Sequence, residues 1–286
     1  DFTSGTFTWR TWAIDYVRAF RRQGGGGFGT LPTGAGALTN TIERQQFSTY
    51  GTEARFRHDW GARQQHLLSA GAQLYSTASP RTDSRGATPA AAIGAVQTKS
   101  HREIFYAPVY VENLFRLGSV ALTPGFRLER VRQDVRELVN VAKAAAANPL
   151  AARDDRQTVP LFGLALAWDL PAKARLYANL SQSFRPMIFT QAVPNGATNV
   201  VNADLAAGRA VQGEIGYRVQ PAPGLVVDAS VFHLEFDDQI GTLALPGGRS
   251  TVANVGRAVH RGVEASVQYN LLRALGQREG PQVERV

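Results

Sequence analysis

Hydrophobic and polar residues alternate along residues 105–129, which form two extended runs joined by a tight turn. Apolar residues occupy odd positions in the first run and even positions in the second. A period of two gives each run one apolar and one polar face. Because the turn around Gly118 is short, the runs are predicted to pair as an antiparallel hairpin. The apolar positions are Phe105, Ala107, Val109, Val111 and Phe115, then Val120, Leu122, Phe126 and Leu128.

Similar alternation elsewhere predicts an all-β chain of about ten strands in an antiparallel up-and-down order. Many of these runs are longer than the ~5–6 residues usual in soluble sheets. Inside two of them, Pro108 and Pro160 each remove a ladder donor. A bulge at either proline, or a strand start at Pro160, would accommodate them. Besides the hairpin, the predicted strands are 6–20, 46–60, 65–76, 158–169, 174–184, 211–219, 225–236 and 252–269.

The predicted connections alternate strictly between short and long. Short turns fall near residues 62, 118, 171 and 222, and long loops near residues 30, 88, 145, 198 and 244. Outer-membrane barrels have short periplasmic turns and long extracellular loops, so this asymmetry favours a transmembrane barrel. Three of the long loops are predicted at 77–99, 134–156 and 238–250. The second of these contains an alanine run that could be a short helix or a low-complexity insert.

The face opposite the apolar residues carries many charges. Unpaired charges in a dry core would cost several kcal/mol each, so this face is predicted to line a wet lumen or meet a polar plug. The apolar face would then touch lipid. Trp60 and Trp168, at strand ends beside short turns, fit an interfacial aromatic girdle. The charged positions are Glu53, Arg55, Arg57, Glu112, Arg127, Glu129, Glu214, Arg218, Asp228 and Glu264.

Composition limits the other possibilities. The 286 residues include 31 basic and 23 acidic ones, a net charge of +8, and no cysteine, which excludes disulfides and thiolate metal sites. The positive charge is spread along the chain, which argues against nucleic-acid binding. No apolar run approaches the ~18 residues of a spanning helix. The glycine tract at 24–27 lacks the strand–loop–helix context of a phosphate-binding loop and is predicted to be a surface loop.

The candidate chemistry is ligand binding. No catalytic constellation is present, the five histidines lack metal-ligand spacing, and neither a metal nor a cofactor is expected. Arginines at the ends of predicted strands would converge at an extracellular mouth and attract an anionic ferric chelate. They could instead pair with lipopolysaccharide phosphates or loop carboxylates. These candidate ligand-binding residues are Arg18, Arg21, Arg22, Arg185 and Arg209.

Four segments resemble barrel strands of the TonB-dependent outer-membrane receptors, most closely the ferric-citrate and siderophore receptors. They are YVEN at 110–113, TPGFRLE at 123–129, YANLSQSFRP at 177–186 and NVGRAVHRGVE at 254–264. The resemblance implies a barrel of about twenty-two strands closed around an N-terminal plug. It also implies substrate binding by loops and plug, and an inner-membrane energy complex that pulls on the plug through an N-terminal box.

The chain departs from that pattern because it contains no plug sequence, no TonB box and no aromatic C-terminal strand in 277–286. We therefore expect residues 1–286 to be part of a barrel domain, with the plug and the final strands absent. The resemblance implies a Gram-negative outer-membrane transporter, not an enzyme, that takes up a ferric chelate or a similar scarce anionic nutrient. Outer-membrane lipid, lipopolysaccharide, the protein's own plug and the TonB complex are its implied partners. A passive porin-type channel and a secreted β-sheet adhesin are the alternatives.

Overall fold

The computed structural model describes residues 4–24 and 29–271, which form one sheet of thirteen strand segments. No helix among the described residues is long and apolar enough to cross a membrane. The strands are β1 Gly5–Arg22, β2 Asn40–Trp60, β3 His66–Ala78, β4 Arg81–Gly86, β5 Ala95–Tyr106, β6 Val109–Leu117, β7 Val120–Asn140, β8 Ala152–Leu170, β9 Ala174–Arg185, β10 Asn199–Val200, β11 Gly208–Ala222, β12 Leu225–Leu245 and β13 Arg249–Tyr269. The helices are α1 Ala35–Leu38, α2 Val141–Ala145 and α3 Phe189–Ala192, and a 3-10 turn spans Pro246–Gly248.

The segments make ten passes of an antiparallel meander, which confirms the predicted fold class. The first part of β2 pairs with β4 and the rest of it pairs with β3, so β3 and β4 are collinear halves of one pass. Likewise β5 and β6 both lie between β3 and β7. The two-residue β10 lies in a loop and pairs in parallel with β13. Among the described residues, no ladder joins β1 to β13.

The two prolines are accommodated differently. Pro108 separates β5 from β6, and the ladder continues around it because Ala107 N donates to Arg130 O (2.8 Å) and Gln73 N donates to Pro108 O (3.0 Å). Pro160 lies inside β8, so the predicted strand start there is wrong. The β8–β9 ladder extends only from Leu170 to Gly163.

Phe162 N donates to the side-chain Oε1 of Gln182 on β9 (3.1 Å), so even-numbered N–H groups of β8 point toward β9. Pro160 therefore lies where β8 has no β9 partner, and its missing donor breaks no hydrogen bond.

Three predicted loops are shorter than expected. Strand structure extends into 77–99, 134–156 and 238–250, and the turn between β12 and β13 is only Pro246–Gly248. At this end of the sheet both faces are polar, so the alternation of apolar residues disappears while the backbone ladder continues. Polar side-chain pairs stabilise this part of the ladder; for example, Thr98 Oγ1 donates to Asp83 Oδ2 (3.0 Å). The loop predicted at 134–156 contains α2, which confirms the short helix as the better of the two interpretations.

The sheet has two distinct surfaces, which we call the apolar face and the polar face. On the apolar face the side chains are widely exposed, as at Leu166 (42%) and Val263 (75%), so they do not form a dry core. The polar face carries the charged residues, and register places the members of each set together. Residues of the apolar face include Phe7, Trp9, Phe56, Val111, Phe162, Leu164, Leu166, Leu180, Ile215, Val231, Val263 and Val267; residues of the polar face include Glu43, Glu53, Arg55, Arg102, Glu129, Glu214 and Asp228.

Aromatic residues lie near the short turns of the apolar face, as the sequence predicts. Trp60 ends β2, and its Nε1 donates to Asn113 Oδ1 (2.8 Å). Its ring packs on His66 (centroids 4.4 Å apart) and on Phe115 (5.9 Å). Trp168, near the end of β8, is 47% exposed. An amphipathic ring with a satisfied N–H is suited to a membrane–water boundary.

Two expectations lie outside the described residues. Most of the glycine tract at 24–27 falls there, as does the C-terminal stretch 277–286.

Candidate functional site

At the long-loop end, the polar face carries an arginine–carboxylate network that spans β1, β2 and β4. Glu43 is buried and bridges two guanidinium groups, because Arg18 Nη2 lies 2.6 Å from its Oε1 and Arg81 Nη2 lies 2.6 Å from its Oε2. Arg81 also contacts Asp83 (2.9 Å), and Arg18 donates to Gln45 Oε1 (2.8 Å). Paired geometry of this kind fixes guanidinium groups firmly and leaves the exposed half of Arg18 available to an anion.

A buried arginine on the polar face contacts one of the loops. Arg102 on β5 is only 4% exposed, and its Nε donates to Ser100 Oγ (2.9 Å). Its guanidinium lies over the ring of Phe189 in α3, 5.6 Å from the ring centroid. This cation–π contact holds the β9–β11 loop, residues 186–207, against the sheet.

A buried ion pair between β7 and α2 contacts the β9–β11 loop. Lys143 Nζ lies 2.6 Å from Glu137 Oε2, and both side chains are 3% exposed. Lys143 Nζ also donates to Pro194 O (3.3 Å), and Asn140 Nδ2 donates to Asn195 O (2.9 Å). Both charged groups are therefore satisfied by several partners, which a buried pair requires. A small apolar cluster beside them includes Val135, Ala192 and Val193, with Ala151, Phe189 and Val201 packed against it.

The far side of the same loop contacts β8 and β13. The guanidinium of Arg153 donates to the carbonyl oxygens of Asn202 and Leu205, the latter at 2.8 Å. On the opposite side Asn202 Nδ2 donates to Val252 O (3.0 Å), and Asn254 Oδ1 accepts from Ala206 N (2.9 Å). The loop therefore bridges the gap above the last β8–β9 pair, where the sheet itself is open.

A cavity of ≈ 760 Å³ lies between this loop and the strands on either side. Both acidic and basic residues line the cavity, so it suits a polar ligand with donor and acceptor groups. It does not discriminate strongly between anionic and cationic ligands. Those lining residues are Arg153, Asp155, Arg156, Asp204, Arg209, Asp237 and Asp238.

A second cavity, of ≈ 530 Å³, lies farther along the polar face, toward the short turns. Arg127 donates to Tyr106 Oη (2.9 Å) and forms an ion pair with Glu129. Glu129 Oε2 and Gln133 Nε2 are buried and have no hydrogen-bond partner. Leaving such groups unpaired costs about 1–3 kcal/mol each, so a second polar surface that supplied their partners would stabilise this part of the polar face.

Strand glycines support the same conclusion. On the polar face, Gly51, Gly71 and Gly216 are covered by aromatic rings, as where a Cβ on Gly51 would lie 2.1 Å from Trp12. Gly125 and Gly163 pair with each other across β7 and β8 on the same face, but nothing lies closer than 3.7 Å to their added Cβ positions. Uncovered glycines in a strand often mark a place where another backbone approaches closely.

The structure distributes the five predicted arginines over both faces. Arg18 joins the network around Glu43, and Arg22 shares its face at the end of β1. Arg21 lies on the opposite face, where it donates to Ala90 O (3.1 Å). Arg185 and Arg209 are one register position apart on neighbouring strands and point to opposite faces. The role of these five residues in ligand binding stays a prediction.

Sequence reasoning missed Arg81, Arg102 and Arg153. Arg81 lies in the loop predicted at 77–99, and Arg153 lies in the loop predicted at 134–156. Recognising that β4 and β8 continue past the last apolar residue would have placed them on the polar face. Among the described residues, no group of three or more His, Asp or Glu side chains is arranged to hold a metal ion.

The fold and its two faces define a segment of an up-and-down membrane barrel. The chain belongs to the family of TonB-dependent receptor-like β-barrels, whose sequence profile matches residues 1–279. No curated protein sequence matches the chain.

Solved structures share this fold. The ferric citrate transporter FecA in its unliganded form is 17% identical, with a TM-score of 0.69 over 94% of this chain and 37% of its own. The ferric yersiniabactin uptake receptor FyuA from Yersinia pestis is 16% identical, with a TM-score of 0.69 over 95% of this chain and 38% of its own. The copper transporter OprC is 16% identical, with a TM-score of 0.67 over 93% of this chain and 41% of its own. The chain thus spans well under half the length of each, and the likeness is one of fold.

Proposed function

We propose that this chain forms part of the barrel wall of a TonB-dependent outer-membrane transporter, which takes up a ferric chelate or a similarly small anionic nutrient. The observation that carries the proposal is the polar face. It ends in fixed arginines around Glu43 at the long-loop end, and it holds unpaired buried atoms of Glu129 and Gln133 farther down. The arginines suit an anionic ligand arriving from outside, and the unpaired atoms suit a plug domain.

The structures of similar fold include transporters of ferric citrate and of copper and an uptake receptor for ferric yersiniabactin, so scarce metal nutrients are the first candidates for the cargo. In this proposal the plug would contact the polar face near Gly125 and Gly163, and the TonB complex would act on the plug. Lipid and lipopolysaccharide would surround the apolar face.

The test is uptake of radiolabelled ferric citrate, with a ferric siderophore in parallel, by iron-limited cells that express the full-length protein. We expect uptake that an uncoupler abolishes. Arg18→Gln should raise the Kd for the transported chelate about tenfold, since it removes a charge-assisted contact. Arg132→Gln, on the apolar side of β7, is the matched control and should leave the Kd unchanged. Uptake that continues in the presence of the uncoupler would contradict energy coupling.

One observation favours a passive channel as the second candidate. The β9–β11 loop folds over the polar face, where a porin-type constriction loop would lie. A passive channel would conduct ions in a planar bilayer without a plug and would not respond to an uncoupler. The proposed transporter should show neither property.

A further inference from the structure

A groove on the apolar face interrupts the otherwise continuous side chains of β8, β9, β11 and β12. It has a volume of ≈ 470 Å³ and lies where the aliphatic residues of β12 give way to His233 and Glu235. Its walls are aliphatic, and His233 stands at its end toward the long loops. The apolar lining residues are Leu164, Leu166, Leu180, Ile215 and Val231, with Gly213 as the floor.

Gly213 makes the groove, and the backbone does not require a glycine there. A Cβ at this position would meet Leu180 Cδ1 at 3.8 Å and Asn179 O at 3.9 Å, which are ordinary contacts. Glycine weakens a strand, so an unforced glycine in a strand interior points to something that packs against it. On the polar face, Gly216 and Gly262 are instead covered by the rings of Tyr177 and Phe232.

The groove leads to positively charged residues. His233 pairs in register with Arg261, so the two lie side by side on β12 and β13. His233 lies 3.6 Å from Glu235, which also pairs with Arg257, and Arg257 lies 3.7 Å from Asp237. Arg209 stands opposite Asp237 in the β11–β12 ladder. Three arginines and a histidine therefore face two carboxylates, which leaves a positive balance directly beyond the apolar lining.

We propose that this groove binds one molecule of lipid A, the phosphorylated and acylated base of lipopolysaccharide. An acyl chain would lie across Gly213 between Leu180 and Val231, and a phosphate would contact Arg261 and His233. The long-loop end of a membrane barrel is extracellular, so the leaflet at this depth is the lipopolysaccharide leaflet. Arginine binds phosphate through charge-assisted, bidentate hydrogen bonds, and a histidine at the same boundary adds a donor.

This inference rests on the outer-membrane location in the proposed function but not on transport. Its test is therefore lipid retention by the purified full-length protein, with chelate uptake measured separately. The protein is stripped of lipid in detergent, incubated with bis-phosphorylated lipid A, with dephosphorylated lipid A or with phosphatidylglycerol, and analysed by native mass spectrometry.

We expect the unmodified protein to retain one bis-phosphorylated lipid A. Gly213→Leu fills the groove and Arg261→Gln removes the phosphate contact, so each should lower retention at least about tenfold. Val263→Leu, which enlarges an exposed side chain outside the groove, and Arg130→Gln, which removes an arginine from the apolar side of β7, are the matched controls and should retain lipid normally.

Two results would overturn the site. Equal retention by Gly213→Leu would show that the groove holds no acyl chain, and equal retention of dephosphorylated lipid A or phosphatidylglycerol would show that the phosphorylated disaccharide is not recognised. Chelate uptake should be unchanged in all four variants. Unchanged uptake would also show that the variants fold. If lipid A is not retained but chelate uptake is intact, only the lipid site is contradicted. If the unmodified protein shows no chelate uptake, only the transport proposal is contradicted.

Discussion

The two ends of the sheet are stabilised in different ways. At the long-loop end the strands carry charge on both faces, and the polar face is covered by the β9–β11 loop, the Lys143–Glu137 ion pair and the cluster around Val135. Toward the short turns, side chains such as Leu166 and Val267 are exposed, and Glu129 keeps an unpaired buried oxygen. The long-loop end therefore buries an interior of its own, whereas the other end leaves apolar side chains exposed on one face and unpaired polar atoms on the other.

The largest expected effect concerns the ion pair that holds the loop. Lys143→Met leaves Glu137 buried without its partner, which should lower the free energy of opening the β9–β11 loop by about 3–5 kcal/mol. Hydrogen–deuterium exchange of residues 186–207 in the full-length protein measures this opening.

The control for this pair is the double variant Lys143→Met with Glu137→Leu, which removes both charges. It should recover most of the protection, because an apolar pair of similar volume needs no charged partner. If the single variant exchanged as slowly as the unmodified protein, the loop would be held by other contacts.

A smaller effect is expected on the apolar face toward the short turns. Leu166→Arg places a charge on the apolar face and should lower the free energy of unfolding from lipid bilayers by about 2–4 kcal/mol. Guanidinium titration of the full-length protein in phospholipid vesicles gives the value.

The neighbouring substitution Ala165→Arg tests the assignment of faces. Its side chain points to the polar face, so the unfolding free energy should change much less than for Leu166→Arg. Equal losses at both positions would mean that lipid does not distinguish the two faces.

The smallest effect is expected for an exposed ion pair at the long-loop end. Arg132 Nη2 lies 2.8 Å from Asp154 Oδ2, and both side chains are well exposed. Water and salt screen such pairs, so Arg132→Gln should leave the unfolding midpoint within experimental error. Asp154→Asn provides the reciprocal variant, and a clear loss in either would indicate that this pair is less solvated than its exposure implies.

The sequence predicted most of the architecture because membrane strands repeat a simple pattern. Residues such as Phe56, Leu180 and Val267 alternate with polar neighbours, and this period predicted the ten passes and their faces. The pattern fails at the long-loop end, where polar residues lie on both faces. For this reason β4 and the long-loop ends of β12 and β13 were not predicted.

The site was harder to predict than the fold. Whether an arginine such as Arg21 or Arg18 points to the polar face depends on register, and one residue reverses the answer. The roles of Arg102 and Lys143 depend on the packing of the β9–β11 loop against the sheet, which the sequence pattern does not predict. A loop whose path is set by distant contacts leaves no periodic signal in its own residues.

Pro160 affects how the long-loop end of β8 can pair. It lies inside β8 beyond the last pair with β9, so the edge of β8 that faces β9 lacks a backbone donor at this position. A strand that extended the β8–β9 ladder past Gly163 would lose a hydrogen bond at Pro160, which disfavours pairing at the place that the β9–β11 loop covers.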